Sequence, residues 1–397
     1  MTDVGPGPVV MFSTADWYWP YWTNKQHTAV HLAGRGYEVL YIESVGIRPP
    51  GLNAIDVRRI AKRLWHGLRP AHEVRRNVWL LSPLTIPFGH RVPAIQAFNA
   101  WQLRRRIRSW LRRRGRPIVW TYHPYMTDAV DDLAPESVVY HCVDNLGVIP
   151  GVDQVAYDRE EKRLLARADH VFATSPALRD RCAATATATT HYFANVADVD
   201  HFATSRLSGE LPGDLAAIPE PRLMYVGVIS DFKIDLGLID EIAARRPGWH
   251  IVFIGDEREG QKSPAVARLA ARANVHFLGW RPYEQLPAYL RGAAVALLPQ
   301  AINDYTRAMF PMKFFEYLSA GRPVVATPLP ALAEFGAFHR TASNQPDFIA
   351  AIASALAEAE SGNAALPLDH PLLRTYSWQA RLDQMLAIVD RQITSSG

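Results

Sequence analysis

The sequence predicts an α/β protein with two doubly wound domains, each a parallel sheet that carries helices on both faces. Short apolar runs of strand length alternate with helical stretches along the chain, which is the pattern of a parallel sheet. The alternation weakens near the middle of the chain and then restarts. A length of 397 residues also exceeds one ordinary core and fits two domains of about 200 residues each.

The first half opens with a buried strand and continues as strands separated by helices. Its first predicted helix ends at the turn formed by Gly34, Arg35 and Gly36. The predicted strands are residues 9–12, 37–42, 78–81, 118–121, 138–141 and 170–173, and the predicted helices are residues 28–35, 94–114 and 157–167.

The second half repeats the alternation after two weak stretches, the Ala/Thr-rich residues 183–190 and the Gly- and Pro-rich residues 207–221. We therefore predict one domain at residues 1–205 and a second at residues 206–375, followed by an amphipathic helix at residues 376–397. The strands predicted for the second domain are residues 222–227, 250–255, 275–278, 294–298 and 323–327, and one helix is predicted at residues 236–245.

The composition is that of a globular chain, with 48% hydrophobic and 21% charged residues. Two cysteines, Cys142 and Cys182, exclude a disulfide framework, match no metal-ligand spacing and fit a reducing compartment. The first residues lack the basic-then-apolar pattern of a secretory signal, and no apolar run approaches the length of about 18 residues that spans a bilayer. We expect a cytoplasmic protein, free or lying on a membrane surface.

The most informative segment is the run from Lys313 to Ala326, which reads KFFEYLSAGRPVVA. Pro311 is predicted to open a helix here, since its missing N–H costs nothing at that position. Free N–H groups at a helix start bind a diphosphate, and Lys313 adds a positive charge to the first turn. Glu316 lies one turn further on the same face, where a carboxylate can accept both ribose hydroxyls of a nucleotide. The plain alternative is an amphipathic helix followed by a strand.

This run resembles the sugar-nucleotide motif of bacterial GT-B glycosyltransferases, especially those of teichuronic-acid and exopolysaccharide biosynthesis. The resemblance covers residues 9–390 and is closest at residues 220–330. It implies two Rossmann-like domains facing a cleft, a terminal helix that crosses back to the first domain, Lys313 as the diphosphate ligand and Glu316 as the ribose ligand. Many retaining members carry a second Glu where this chain has Ala308, so a retaining mechanism is not implied.

Other candidate donor ligands follow predicted strand ends of the second half. Gly227 would let a donor phosphate come close, although a glycine after a strand also suits a simple turn. Ser230 and Lys233 in the same loop are candidates to bind that phosphate. Backbone groups near Trp280 and Arg281 match the family's base-binding strand end. The remaining donor-site candidates precede Lys313 in the chain: Asn303, Thr306, Arg307 and Met312.

No metal and no cofactor is expected at this site. Lys313 and the helix start would neutralise the leaving diphosphate in place of a divalent cation. The sequence also contains no Asp-x-Asp metal motif in a convincing place.

The acceptor side is predicted from the ends of strands in the first half, because such ends face the crevice of an open α/β sheet. Asp144 is the first candidate for the base that deprotonates an acceptor hydroxyl, or else it caps the segment that follows. His123 is the second candidate, or else a structural histidine. Trp17 and Trp19 belong to an aromatic loop that would stack on a sugar, although a packed aromatic cluster is equally compatible.

Residues 101–114 combine apolar residues at helical spacing with many arginines. Such a helix can lie in an anionic lipid surface, or it packs on the sheet with a solvated basic face. The family's polyprenyl-linked acceptors favour contact with a membrane. Nucleic-acid binding is not expected, because no recognition motif accompanies the arginines.

These observations predict an enzyme that moves a sugar from a nucleoside diphosphate sugar to a hydroxyl of a glycan or a lipid-linked acceptor, in cell-surface polysaccharide or glycolipid biosynthesis. One alternative is a sugar-nucleotide epimerase of the same fold, which would turn over the donor without an acceptor. The other is a catalytically silent subunit that binds the nucleotide without turnover.

Overall fold

The computed structural model describes residues 6–44, 67, 69–83, 93–257, 263–362 and 365–395. The chain divides into two compact units. The first unit comprises Met1–Phe193 together with Leu382–Gly397, and the second comprises Ala194–Arg381.

The first unit contains an eight-stranded sheet in the order β3-β4-β2-β1-β5-β6-β7-β8. Neighbouring strands run parallel, except that β3 is antiparallel to β4. The strands are β1 Val9–Phe12, β2 Val39–Ile42, β3 His72–Arg75, β4 Val78–Leu81, β5 Ile118–Thr121, β6 Ser137–Cys142, β7 His170–Ala173 and β8 Thr190–Tyr192.

Helices cover this sheet, and they are numbered here among the described residues. They are α1 Asn24–Gly34, α2 Pro93–Leu111, α3 Thr127–Asp131, α4 Gln154–Arg167 and α5 Pro176–Ala183, with short 3₁₀ helices at Pro124–Met126 and Leu146–Val148.

The second unit contains a six-stranded parallel sheet in the order β11-β10-β9-β12-β13-β14. Its strands are β9 Arg222–Val226, β10 His250–Ile254, β11 Val275–Phe277, β12 Val295–Leu298, β13 Val324–Ala326 and β14 Arg340–Thr341. Its helices are α6 Val199–Ala203, α7 Gly213–Ala216, α8 Leu236–Arg245, α9 Pro264–Ala270, α10 Leu286–Arg291, α11 Asp304–Ala308, α12 Lys313–Ser319, α13 Gln345–Glu360 and α14 Pro371–Thr375, with 3₁₀ helices at Thr204–Arg206, Tyr283–Gln285 and Pro330–Phe338.

The last helix, α15 Trp378–Ser395, contributes to the core of the first unit from Leu382 onward. Its buried side chains recur at the spacing that places residues on one helix face, and they pack on the sheet beside Trp120 and Phe172. These side chains are Leu382, Met385, Leu386 and Val389. No helix among the described residues is long and apolar enough to cross a bilayer.

The two sheets confirm the predicted fold class of two doubly wound α/β domains. Every strand predicted from an apolar run is present, because each run fills a buried position in a parallel sheet. The strands that the prediction missed, β3, β8 and β14, all lie at a sheet edge. Edge strands are short, partly exposed and polar, so they carry no apolar run.

The second unit begins at Ala194, earlier than the boundary predicted at residues 205 and 206. The segment from Ala194 onward directs its buried polar groups into the second unit. Asn195 Nδ2 donates to the Phe310 carbonyl at 2.7 Å, and Ser205 Oγ donates to the Ala320 carbonyl at 2.9 Å. The Gly- and Pro-rich stretch around α7 therefore lies inside the second unit.

Candidate functional site

The strand order of the second sheet reverses between β9 and β12, since the chain runs from β9 to β11 on one side and from β12 to β14 on the other. The carboxyl ends of two such strands flank a crevice that binds ligands in open α/β sheets. The loops that follow β9 and β12 are joined by hydrogen bonds. Asp235 N donates to the Pro299 carbonyl at 2.8 Å, and Ala301 N donates to the Lys233 carbonyl at 3.0 Å.

Gly227 and Lys233, two predicted phosphate ligands, lie in the loop after β9. Gly227 has a φ of +149°, and a Cβ atom there would lie 3.0 Å from the Tyr225 hydroxyl, so the position favours glycine. The Lys233 ammonium lies over the Tyr305 ring, 5.4 Å from its centroid. Ser230 is buried, and its carbonyl accepts the N–H of Lys233 at 3.0 Å. The structure places these residues together at the crevice.

Lys313 and Glu316 form an ion pair in the first turn of α12. Lys313 Nζ donates to Glu316 Oε2 at 2.7 Å, and the side chains are 23% and 3% exposed. Burial raises the pKa of the Glu316 carboxyl, and the Lys313 charge works in the opposite direction. A carboxylate with a shifted pKa at a sheet crevice is a candidate functional group.

The helix α12 begins at Lys313 with Met312 as its N-cap, so Pro311 does not open the helix as predicted. The Pro311 carbonyl instead accepts the N–H of Phe314 at 3.1 Å, forming a turn that precedes the helix. The Phe314 N–H, which the sequence analysis expected to be free for a diphosphate, therefore forms a hydrogen bond inside this turn. The helix ends at Ser319, and Gly321 follows with a φ of +71°.

Tyr283 and His201 are neighbours of Glu316 that the sequence analysis missed. Their rings stack with centroids 4.5 Å apart and planes 13° apart, and His201 Nε2 lies 3.0 Å from the Tyr283 carbonyl. After burial, the Glu316 charge is the next cause that raises the pKa of Tyr283. These residues come from distant parts of the chain and share no spacing, so no pattern in the sequence joins them to Glu316.

Trp280 and Arg281, the predicted base-binding residues, follow β11. The Arg281 side chain is committed elsewhere, since it donates to Asp214 Oδ2 and to the Tyr289 hydroxyl, each at 2.5 Å. Trp280 N donates to Asp256 Oδ1 at 3.1 Å. The Arg281 guanidinium therefore connects α7 with α10.

Asn303 and Thr306 cap the start of α11. The Asn303 side chain accepts the N–H groups of Tyr305 and Thr306, both at 3.0 Å, and its Nδ2 donates to the Phe232 carbonyl at 2.7 Å. Thr306 Oγ1 accepts the Asn303 N–H at 3.0 Å. Arg307 differs, because it is exposed and pairs with no carboxylate among the described residues. Of these three candidates for binding the sugar nucleotide, Arg307 is the one whose side chain is exposed.

The first sheet has its own reversal between β1 and β5, and Asp144 follows β6, the next strand along. Asp144 Oδ2 lies 3.9 Å from Lys25 Nζ, and the Lys25 side chain is only 7% exposed. The Lys25 ammonium also lies over the Tyr122 ring, 5.5 Å from its centroid. The sequence analysis missed Lys25 because a lysine usually lies in solvent. The fold instead buries the start of α1, where Lys25 lies.

His123 follows β5, the strand beside β6, and is 1% exposed. Burial lowers its pKa to about 4, so the imidazole is neutral at pH 7. Neither ring nitrogen has a hydrogen-bond partner among the described residues. The ring lies near Tyr125, with centroids 5.7 Å apart.

The two predicted acceptor-stacking residues differ in exposure. Trp17 is buried in the core of the first unit, with its ring edge-on to Tyr41 at 5.1 Å. Trp19 is half-buried, 6.4 Å from the Tyr21 ring. Tyr18 between them is 70% exposed. The structure therefore packs Trp17 in the core and leaves Tyr18 as the most exposed ring of this loop, while Trp19, Tyr21 and Trp22 are half-buried.

One group of three side chains among the described residues has the proximity of metal ligands: Cys142, Glu161 and Cys182. Arg181 already pairs with Glu161 through two contacts of 2.5 and 2.8 Å, and its Nη2 lies 3.8 Å from Cys142 Sγ. The hydrogen bond that the Cys182 thiol donates to Cys142, together with burial, raises the pKa of Cys182. The Arg181 guanidinium thus already supplies a positive charge beside Glu161.

The helix α2 has an exposed stripe with two aromatic rings followed by three arginines. Its members recur three or four residues apart and share one helix face: Phe98, Trp101, Arg105, Arg108 and Arg112. The Arg105 guanidinium lies 5.7 Å from the Trp101 ring centroid. The opposite face, with Leu103, Ile107 and Trp110, is buried. The basic residues that precede β3, at positions 58–63, lie outside the described residues.

Solved structures with the same two-domain architecture identify the fold. Sucrose-phosphate synthase from Thermosynechococcus elongatus matches with a TM-score of 0.72 and 16% identity, over 99% of this chain and 100% of that chain. Anabaena HepE in complex with UDP-glucose matches with a TM-score of 0.69 and 13% identity, over 97% and 100%. Trehalose 6-phosphate synthase from Burkholderia multivorans matches with a TM-score of 0.66 and 13% identity, over 99% and 100%. The chain has the GT-B fold.

Comparison of the sequence with known proteins indicates which GT-B proteins this chain resembles. Residues 220–359 match the family described as Glycosyl transferases group 1. TuaH of Bacillus subtilis (strain 168), whose name assigns it a glycosyltransferase role in teichuronic acid biosynthesis, is 28% identical over 169 residues. That match covers 41% of this chain and 42% of the relative, so the chain spans less than half of the curated relative's length. Residues 220–359 of the second unit are thus similar to group 1 glycosyl transferases, which confirms the predicted resemblance.

Proposed function

We propose that this chain is a glycosyltransferase that moves a sugar from a nucleoside diphosphate sugar to a hydroxyl acceptor, in cell-surface polysaccharide or glycolipid biosynthesis. The observation that carries the proposal is the pair of Lys313 and Glu316 in α12. A buried carboxylate is costly unless it has a partner or a use, and this one lies in the domain that matches a glycosyl transferase family.

The second unit would bind the donor. Glu316 accepts the ribose hydroxyls, while Lys313, Lys233 and Arg307 supply the cationic groups for the diphosphate. Gly227 leaves room for a phosphate at the end of β9. UDP is the first nucleotide to test, because HepE binds UDP-glucose and UDP and another structure of similar fold is a UDP-forming trehalose-phosphate synthase.

The first unit would bind the acceptor and supply the base. In an inverting displacement, the acceptor oxygen forms a bond to the anomeric carbon while the bond from that carbon to the diphosphate oxygen breaks. The hydroxyl proton passes to the Asp144 carboxylate, and the diphosphate leaves with the bonding electron pair. Lys25 would orient this carboxylate, and Trp19 with Tyr18 would contact the acceptor.

The leaving diphosphate would be neutralised by protein cations, so we propose that the reaction uses neither a metal nor a cofactor. Lys313 provides the fixed charge at the site, since its ammonium is held by Glu316.

A lipid-linked acceptor would bring the protein to the cytoplasmic face of a membrane. The exposed stripe of α2 supports this, because its two rings suit the interface and its arginines suit anionic headgroups. We expect sedimentation with vesicles that contain anionic lipid, and loss of sedimentation in the double variant Trp101→Ser with Arg105→Gln. Equal sedimentation of wild type and variant would leave the solvated basic face as the account of this helix.

Donor binding is tested by thermal shift and calorimetry with UDP, GDP, TDP and ADP. One diphosphate should raise the Tm of the wild type, and Glu316→Ala should abolish that shift. Glu241→Gln is the matched control, because Glu241 is an acidic residue of α8 that pairs with Arg245. No shift with any nucleotide would contradict the proposal.

Product analysis separates the alternatives once a donor is known. A glycosyltransferase consumes the sugar nucleotide in proportion to acceptor and releases the diphosphate. An epimerase would convert the sugar nucleotide without acceptor, and a silent subunit would bind it unchanged.

A further inference from the structure

The helix α12 is held at both ends by side chains of one short segment of the second unit. Asn195, Ser205 and Arg206, called the bracket below, donate hydrogen bonds to main-chain carbonyls before and after this helix. The carbonyl bound by Asn195 precedes the helix, two of those bound by Arg206 belong to its last two residues, and the one bound by Ser205 follows it. Two of these side chains, Asn195 and Ser205, are buried. None of the three belongs to a motif recognised in the sequence.

Arg206 binds the C-terminal end of α12. Its Nε donates to the Ser319 carbonyl at 2.7 Å and its Nη2 to the Leu318 carbonyl at 2.8 Å, while Ser205 Oγ reaches the Ala320 carbonyl at 2.9 Å. The last carbonyls of a helix have no partner inside the helix and carry a partial negative charge. The Arg206 guanidinium donates hydrogen bonds to these carbonyls and also places a positive charge beside them.

Asn195 fixes the approach to the same helix. Its Nδ2 donates to the Phe310 carbonyl at 2.7 Å, three residues before Lys313. The helix α6, which lies between Asn195 and Ser205 in the chain, packs directly on α12. The bracket therefore contacts the backbone on both sides of α12.

Gly321 lies beside the Arg206 guanidinium. A Cβ atom at Gly321 would lie 3.0 Å from Arg206 Nε, and its φ of +71° is one that other residues rarely adopt. The glycine of the sequence motif thus leaves the space through which the guanidinium reaches the helix end.

The first turn of α12 carries one charge, that of Lys313, which opposes the helix dipole, and one, that of Glu316, which favours it. The Lys313 cation lies at the end where the helix dipole is positive, and Glu316 is buried beside it. A helix of seven residues gains little stability from its own hydrogen bonds. Its position is therefore set by the packing of its buried side chains together with the contacts at its ends.

We infer that Arg206 is a positioning residue of the donor site, which orients α12 so that Lys313 and Glu316 meet the nucleotide. The inference rests on the proposed function. It predicts that Arg206 affects nucleotide affinity even in molecules that remain folded, although its hydrogen bonds within the described residues go to the main-chain carbonyls of Leu318, Ser319 and Leu366.

The test compares Arg206→Gln with Arg222→Gln by calorimetric titration of UDP, GDP, TDP and ADP at 25 °C, with circular dichroism to verify folding. Arg222 is the matched control, since it is a buried arginine of the same unit that donates to the carbonyls of Ile218 and Gly292 at the other end of β9. We expect a Kd about tenfold higher for Arg206→Gln and one within about twofold of the wild type for Arg222→Gln, although both lower the Tm.

Arg206→Lys provides a milder variant if Arg206→Gln does not fold. It keeps the charge but cannot reach two carbonyls as a fork, so its Kd should rise about threefold. Wild-type affinity in a folded Arg206 variant, or an equal loss in Arg222→Gln, would overturn the inference alone. A wild type that binds none of the four nucleotides would contradict the proposed function as well.

Discussion

The crevice between β9 and β12 and the crevice between β1 and β5 occupy the same place in two similar sheets, but they are built differently. At the first, the loops are joined by hydrogen bonds, and the functional pair of Lys313 and Glu316 lies on one helix at 2.7 Å. At the second, Asp144 and Lys25 come from separate elements and lie 3.9 Å apart. The pair of Lys313 and Glu316 is thus formed within one helix, whereas the pair of Asp144 and Lys25 joins two separate elements.

The largest expected effect is a loss of turnover without a loss of nucleotide binding when the crevice of the first sheet is changed. Asp144→Asn should reduce turnover by about a hundredfold or more, because the acceptor hydroxyl loses its base, while the Kd of the donor diphosphate stays unchanged. Radiolabelled sugar transfer and calorimetry measure the two quantities. Lower nucleotide affinity in Asp144→Asn would break the division between donor and acceptor halves.

Lys313→Met should destabilise the second unit by about 3 to 5 kcal/mol, because it leaves Glu316 buried without its partner. The double variant Lys313→Met with Glu316→Gln should regain most of that free energy of unfolding, since no buried charge remains. Urea denaturation measures both. Equal stability of the single and double variants would mean that the pair is not what stabilises this turn.

The burial of neutral His123 should make the free energy of unfolding depend on pH. Its folded pKa of about 4 lies below the unfolded value of 6.5, so the unfolded chain binds more protons between these two values. The stabilisation is present above pH 6.5 and is lost as the pH falls toward 4, by about 3 kcal/mol in total. His123→Asn should flatten that slope of the free energy of unfolding. An unchanged slope would assign it to other groups.

The smallest expected effect concerns Lys25. Lys25→Met should lower turnover about tenfold, since Asp144 loses the charge that orients it, and should leave donor affinity unchanged. Arg35→Met is the control in the same helix region, because it pairs with Asp383 rather than with the crevice. A turnover loss of equal size in Arg35→Met would point to a general effect on the first unit.

The pair of Lys313 and Glu316 could be predicted because the two residues are close in sequence. The spacing from Lys313 to Glu316 places both on one helix face, and Gly321 marks the end of that helix. His201 and Tyr283 could not be found in this way, since they meet Glu316 only after α6 packs against α12. Lys25 could not be predicted as a site residue, because a charged side chain is expected in solvent and only the fold buries this one.

The sequence by itself determined the two doubly wound sheets, their buried strands and the pair of Lys313 and Glu316. Apolar runs and residue spacing encode these features locally, so they need no knowledge of the rest of the chain. Only the tertiary structure decided that the second unit begins at Ala194, that Arg281 is committed to Asp214, that Trp17 is packed away, and that Arg206 orients α12. Each of these depends on which distant groups compete for the same hydrogen bonds and the same buried space, and that competition is settled when the elements pack.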